Sequence, residues 1–246
     1  MAKVISILNH KGGTGKTTTT INLGKALSMI GYKVLLIDLD AQANLSQSLG
    51  LEEETKTISE VFSQKLQELP AKKISELMYV VPASLDLSAV EPGMYSNINS
   101  YFLLKSMIAN IQDAYDFILI DCPPSLGIFT QNALIASNSV LITVQAQFLA
   151  LKGLETVYNL VTSVREKLNQ SISIQGLIVT QTNHTKLSKD IVSLLKDRFK
   201  EKVFGTTIRQ NVALAEASAN RKDIFSYNSD SYGATDYMNL AKELTL

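Results

Sequence analysis

The sequence predicts an α/β fold of three layers: a mostly parallel, twisted sheet with helices on both faces. Three observations predict it. Short apolar runs alternate with helix-patterned runs along the chain, and such alternation builds a parallel sheet through right-handed crossovers. The apolar runs are continuous, as in Val34-Leu35-Leu36-Ile37 and Phe117-Ile118-Leu119-Ile120, the pattern of strands buried on both faces. No repeat or linker breaks the alternation, so residues 1–246 read as a single domain.

Taken in order, Val4 to Leu8 is the first strand and Ile21 to Ile30 the first helix. Val34–Ile37 follows as a buried strand. Glu52 to Leu69 is acidic and helix-patterned, a surface excursion. Met78 to Val81 reads as a strand stopped by Pro82, and Pro92-Gly93 marks a turn. Tyr101 to Ile111 reads as helical, with Phe102, Leu104, Ile108 and Ile111 inward. Phe117–Asp121 and Ser139–Val144 are strands, and Gln145 to Ala150 a loop. Leu151, Leu154, Val157, Tyr158, Val161, Val164 and Leu168 step at three and four, an amphipathic helix. Ile174–Thr180 is a strand, Leu187–Phe199 a helix, Thr206–Arg209 a short strand, Asn211–Asn220 a helix, and Tyr232–Leu244 the last helix.

Composition narrows the function classes. With 46% apolar and 19% charged residues, the 246-residue chain is long enough to bury a substantial core. It has no apolar stretch of membrane-spanning length. Met1-Ala2-Lys3 runs straight into the first strand without a signal segment, so the expected location is the cytosol. Cys122 is the single cysteine, which excludes an internal disulfide. Net charge is zero but uneven: residues 51–120 carry ten Asp/Glu against five Lys, and residues 184–222 nine Lys/Arg against four Asp/Glu. The second stretch is a basic region of the kind that meets a polyanion.

The chemistry centres on Asn9 to Thr18, NHKGGTGKTT, between the first strand and the first helix. Gly12, Gly13 and Gly15 let the backbone bend tightly and bring N–H groups to phosphate oxygens. Lys16 can reach the β- and γ-phosphates, and the Thr17 hydroxyl can ligate Mg²⁺. The general P-loop formula places a glycine where this chain has His10; instead Lys11 stands directly ahead of the glycine pair. Two lysines this close repel unless anionic phosphate neutralises them. Asp38-Leu39-Asp40 ends one strand and Asp121 another, the second a Walker B pattern whose carboxylate orders Mg²⁺. The lone Cys122 reads as a small buried hydrophobe. His10 and His184 are too far apart in sequence to suggest a zinc set.

Lys11-Gly12-Gly13-Thr14-Gly15-Lys16-Thr17-Thr18 resembles the deviant Walker A of the ParA/MinD ATPases, a branch of the P-loop NTPase fold in which a signature lysine precedes the glycines. Asp38 to Ser46, DLDAQANLS, resembles that family's DxDPQxN segment, with Ala41 in place of proline. Asp121-Cys122-Pro123-Pro124 resembles its D-x-P-P segment, and Arg209 to Ala217 its C-terminal block near the adenine. The resemblance extends over essentially the whole chain.

This resemblance implies ATP or ADP held with Mg²⁺ by Lys11, Gly12, Gly13, Thr14, Gly15, Lys16, Thr17, Thr18 and Arg209. It implies a metal environment of Thr17, Asp38, Asp40 and Asp121, with Asp40 orienting the attacking water. It implies an ATP-bridged homodimer in which Lys11 crosses to the facing nucleotide, acting like an arginine finger given in trans.

Within the superfamily, the nitrogenase iron protein needs a cysteine pair that this chain lacks. A MinD-like membrane helix is not matched by the short, neutral ending Asn239 to Leu246. A synthetase-like metabolic enzyme would need an additional substrate pocket. ParA-type partition proteins remain, without an N-terminal helix-turn-helix extension. Their ATP dimers bind DNA without sequence preference and answer to a ParB-like centromere-binding protein, so the chain is expected on the nucleoid. Lys186, Lys189, Lys196, Arg198, Lys200, Arg221 and Lys222 are the DNA candidates by charge, together with Arg209. Two places where relatives carry basic residues hold Ala213 and His184. A nucleotide-gated localiser of protein cargo is the competing reading.

Overall fold

The computed structural model describes residues 1–147 and 150–246. The strands are β1 (Lys3–Leu8), β2 (Val34–Asp38), β3 (Lys72–Lys73), β4 (Met78–Val81), β5 (Phe117–Asp121), β6 (Ser139–Gln145) and β7 (Ser173–Thr180). They form one sheet in the order β3-β4-β2-β5-β1-β6-β7, parallel throughout except for β3 against β4. Between them run α1 (Lys16–Met29), α2 (Asn44–Ser48), α3 (Ile58–Phe62), α4 (Asp86–Met94), α5 (Leu103–Ala109), α6 (Ile128–Ala136) and α7 (Ala150–Lys167), and after β7 come α8 (Lys186–Phe199), α9 (Val212–Ala219), α10 (Ile224–Tyr227) and α11 (Tyr232–Thr245).

The continuous apolar strands divide their residues between two cores. Val4, Leu8, Leu35, Ile37, Ile118 and Ile120 face one way, toward α3 to α8. Ile5, Ile7, Val34, Leu36, Phe117 and Leu119 face the other, toward α1 and α11. This alternation with both faces apolar is what a parallel sheet covered on both sides requires. The three-layer expectation is met.

The register also brings three strand ends together. Ile7 of β1 lies beside Asp121 of β5, and Asp38 of β2 lies beside the same Asp121. The glycine-rich loop, Asp38-Leu39-Asp40 and Asp121 therefore open at the carboxyl ends of adjacent central strands, where ligands of open α/β sheets sit.

Four local expectations are corrected. The acidic excursion at 52–69 contains one short helix, α3, started by Thr57 and Glu60 in a reciprocal capping box, and the rest is turn. Pro92-Gly93 lies inside α4; proline's missing N–H falls near an exposed helix end, where the carbonyl it leaves unpaired meets water. The helix expected at 101–111 begins as a 3-10 turn, Ile98–Phe102, and only Leu104 and Ile108 of its four inward positions are fully buried. Thr206 to Arg209 forms no strand: Ile208 N–H donates to the Val179 carbonyl of β7, and Arg209 makes one isolated bridge to Thr182 just past its end. The loop expected over Gln145 to Ala150 includes 148–149, which lie outside the described residues; Gln145 itself closes β6.

Candidate nucleotide site

The loop between β1 and α1 takes its shape from glycine and from side chains of neighbouring strands. Gly13 and Gly15 sit at φ +73° and +83°, left-handed positions where a Cβ is strained. A Cβ on Gly12 or Gly13 would meet nothing within 4 Å, so the space over this stretch is open. Asn9 anchors the entry: its Oδ1 accepts from the Lys11 N–H at 3.0 Å and its Nδ2 donates to the Thr143 carbonyl. The Thr180 hydroxyl donates to the Thr14 carbonyl at 2.9 Å, and Gln181 Nε2 to the Gly13 carbonyl at 2.8 Å. Thr14 and Thr143 share a hydroxyl–hydroxyl bond of 3.0 Å. The ends of β6 and β7 thus fix a loop whose own N–H groups remain for an anion.

The two loop lysines differ in setting. Lys16 is buried, and its Nζ donates to the Lys11 carbonyl at 3.2 Å. Burial holds its pKa below the ordinary lysine value, against the opposing pull of Asp121, Cys122 and Asp40. Lys11 is exposed, and its Nζ donates to Gln147 Oε1 at 3.2 Å.

Asp121 and Asp38 are fully buried neighbours. Asp121 Oδ2 accepts from the Thr17 hydroxyl at 2.7 Å. Burial, with the adjacent Asp38, pushes its carboxyl up to about 8, against the Thr17 bond and Lys16. Burial pushes Asp38 up to about 6, against hydrogen bonds from Ser46 and the Asp40 N–H. Asp38 is turned into the β2–α2 turn. Its Oδ2 accepts from the Ser46 N–H at 3.0 Å and hydroxyl at 2.8 Å, and its Oδ1 from the Asp40 N–H at 3.1 Å. Of the expected metal environment, Thr17 and Asp121 are therefore joined directly, while Asp38 holds the segment that carries half-buried Asp40. A hydroxyl and a carboxylate are hard oxygen donors, and they fit Mg²⁺.

Arg209, expected near the adenine, is clamped. Asp236 of α11, itself buried, accepts from its backbone N–H at 3.0 Å, from Nε at 3.1 and 3.0 Å, and from Nη2 at 2.6 Å. The guanidinium lies 4.1 Å from the Tyr232 ring centre. A cavity of about 360 Å³ runs from Gly15 and Thr18 past Gln181 to Arg209 and Asn211. A larger one of about 870 Å³ continues beyond Arg209, Gln210 and Val212 to α8.

Seven of the basic candidates are Lys186, Lys189, Lys196, Arg198, Lys200, Arg221 and Lys222. All are exposed, but Arg198 pairs with Glu155 at 2.9 Å and Arg221 pairs with Glu52. Lys189 and Lys196 converge on the larger cavity, while Lys186, Lys200 and Lys222 do not line it. Cys122 is buried, its thiol pushed up to about 12 by desolvation and Asp121. His10 lies against Gly153, where a Cβ would come within 2.6 Å of its ring, and His184 lines the larger cavity. Ser46, Thr143, Thr180, Gln181 and Asp236 were not singled out from the sequence. For Thr143, Thr180 and Gln181 a signal existed, polar residues closing otherwise apolar strands.

Known proteins are similar to this chain in sequence and fold. A family model described as an AAA domain, AAA_31, matches residues 2–174. The sporulation initiation inhibitor protein Soj of Bacillus subtilis is 39% identical over 99% of this chain and 98% of its own. The chromosome-partitioning ATPase Soj of Treponema pallidum is 39% identical over 99% and 97%. Among solved structures, cobyrinic acid a,c-diamide synthase of Mycobacterium smegmatis, with bound ATP analogue and magnesium, superposes with a TM-score of 0.84 at 29% identity, over 98% of this chain and 93% of that one. The fold is thus that of P-loop NTPases, and the chain belongs to the Soj/ParA family of chromosome-partitioning ATPases.

Proposed function

We propose that this ATPase depends on Mg²⁺, closes into a homodimer over two ATP molecules, binds duplex DNA without sequence preference in that state, and drives plasmid or chromosome partitioning. A ParB-like centromere-binding protein is the partner expected to stimulate its turnover, and the nucleoid is the expected location.

The contrast between the two loop lysines carries this reading. Lys16 is folded into its own loop, poised for phosphates bound there. Lys11 is exposed and its Nζ is not folded back into the loop but donates to Gln147, which supports a role toward a nucleotide facing it rather than its own. Thr17 and Asp121 would hold the metal, which when bound neutralises charge on the phosphates. Asp40, on the segment held by Asp38 and Ser46, would orient the attacking water. The C-terminal helix favours DNA over a lipid surface: α11 buries Tyr237, Leu240 and Leu244 in the same core as Ile21, Leu23 and Leu27 of α1. Among the described residues no helix is long and apolar enough to cross a membrane.

Duplex binding, followed by anisotropy with a labelled fragment, tests the proposal. A non-hydrolysable ATP analogue should confer binding that ADP does not, and affinity should fall steeply with salt as counterion release requires. Binding that is equal in both nucleotides, absent, or insensitive to salt would refute it.

A further inference from the structure

The cavity of about 870 Å³ between α8 and the start of α11 is not used by the P-loop chemistry. It has the size of a small-molecule site, and its walls differ in character. On α8, Lys189 and Lys196 line it together; seven residues apart, they stand two helical turns, about 10 Å, from one another on one helix face. Tyr232, also lining it, is 65% exposed and carries the Arg209 guanidinium 4.1 Å from its ring centre. Asp236 accepts from that guanidinium, so the Arg209 side chain is held against the Tyr232 ring. Asn183 and Gln210, with amide donors and acceptors, also line the space.

An exposed aromatic ring and two ammonium groups lining one cavity match a planar base joined to phosphate. We propose that this cavity is a second nucleotide-binding subsite, adjoining the P-loop pocket across Arg209, Gln210 and Val212, that takes a nucleoside-phosphate unit with its base stacked on the Arg209–Tyr232 pair and its phosphate on Lys189 and Lys196. Such a unit is presented either by a free nucleotide or by an unpaired stretch of nucleic acid. Lys189, Lys196 and Arg209 are also candidates for duplex DNA, so the subsite is tested with an unpaired strand and without ATP, where the duplex reading predicts no binding.

The test uses the full chain with just-saturating Mg-ADP to occupy the P-loop pocket, and a fluorescein-labelled single-stranded dA6 followed by anisotropy. Wild type should bind the oligonucleotide, Tyr232→Ala should lose on the order of tenfold in affinity, and Tyr232→Phe, which keeps the ring, should bind as wild type. Lys189→Ala/Lys196→Ala should weaken binding and flatten its salt dependence. Urea unfolding monitors the fold of each variant. Displacement of dA6 by millimolar AMP assigns the site to free nucleotides; resistance to AMP with displacement by unlabelled strand assigns it to nucleic acid. Absence of binding in wild type, or equal binding in Tyr232→Ala and the double-lysine variant, would overturn the proposal. Duplex binding in the ATP state would remain to be judged by its own assay.

Discussion

Removing the Asp236 carboxylate should unfasten the wall that borders both cavities. In the folded chain Asp236 is buried and accepts from three donors of Arg209: the backbone N–H, Nε and Nη2. Stripping one partner from a buried ion pair costs about 3–5 kcal/mol. The Arg209 side chain is 39% exposed, so water recovers part of that loss, while its backbone N–H is left without the carboxylate, at about 1 kcal/mol. Asp236→Ala should therefore destabilise the chain by about 3 kcal/mol, a fall in Tm of roughly 6–12 °C for a domain of this size. Asp236→Asn keeps an acceptor and loses only the charge, so it should cost about half as much. Urea unfolding at pH 7 followed by circular dichroism reads the loss. A fluorescent ADP titration should show weaker binding, because Arg209 and Asn211 line the nucleotide pocket. An Asp236→Ala chain within 0.5 kcal/mol of wild type and with unchanged ADP affinity would show that the clamp holds nothing in place.

Ser46→Ala should cost about 1.5–3 kcal/mol near pH 8, where the lost hydroxyl bond is to a charged group. Asp38 already titrates above the ordinary carboxylate value when folded, so its contribution favours folding at low pH and fades as pH rises toward about 6. Losing the Ser46 bond moves that window higher, so the penalty should be larger at pH 8 than at pH 5; urea titrations at the two pH values check the order. Cys122 should resist iodoacetamide at pH 8 in the folded chain and react once urea exposes it, since burial and Asp121 hold the thiol protonated; rapid labelling of the native protein would contradict its placement. Thr180→Val should weaken ADP binding several-fold with little change in stability, because it removes the bond that fixes the Thr14 carbonyl; isothermal titration reads this directly.

What the sequence revealed and what it concealed follow from where the information lies. The glycine-rich loop and Asp121 were legible because their chemistry sits in consecutive residues beside an apolar strand. Strands buried on both faces announced themselves as continuous apolar runs. The partners of Ser46, Thr143, Thr180 and Asp236 were not legible: they lie 8, 129, 166 and 27 residues away, and only the folded chain brings them close, though Thr143 and Thr180 stood out as polar residues in apolar strands. The edge strand Lys72–Lys73 has no apolar pattern at all; it exists because β4 offers an unpaired edge. Pro92 misled because a proline that ends most helices was tolerated near the end of this one. The charge excess at 184–222 was visible, but the pairing of Arg198 with Glu155 and of Arg221 with Glu52 was not, nor was the cavity that Lys189, Lys196 and Arg209 line together.

The central claim is that Lys11 serves a nucleotide bound by another copy of the chain. Multi-angle light scattering on wild type and Lys11→Ala, each with Mg²⁺ and either ADP or a non-hydrolysable ATP analogue, tests it most directly. The wild-type mass should double with the ATP analogue alone, and Lys11→Ala should bind the analogue yet stay at the mass of one chain. A Lys11→Ala chain that doubles as readily as wild type, or a wild type that never doubles, would contradict it.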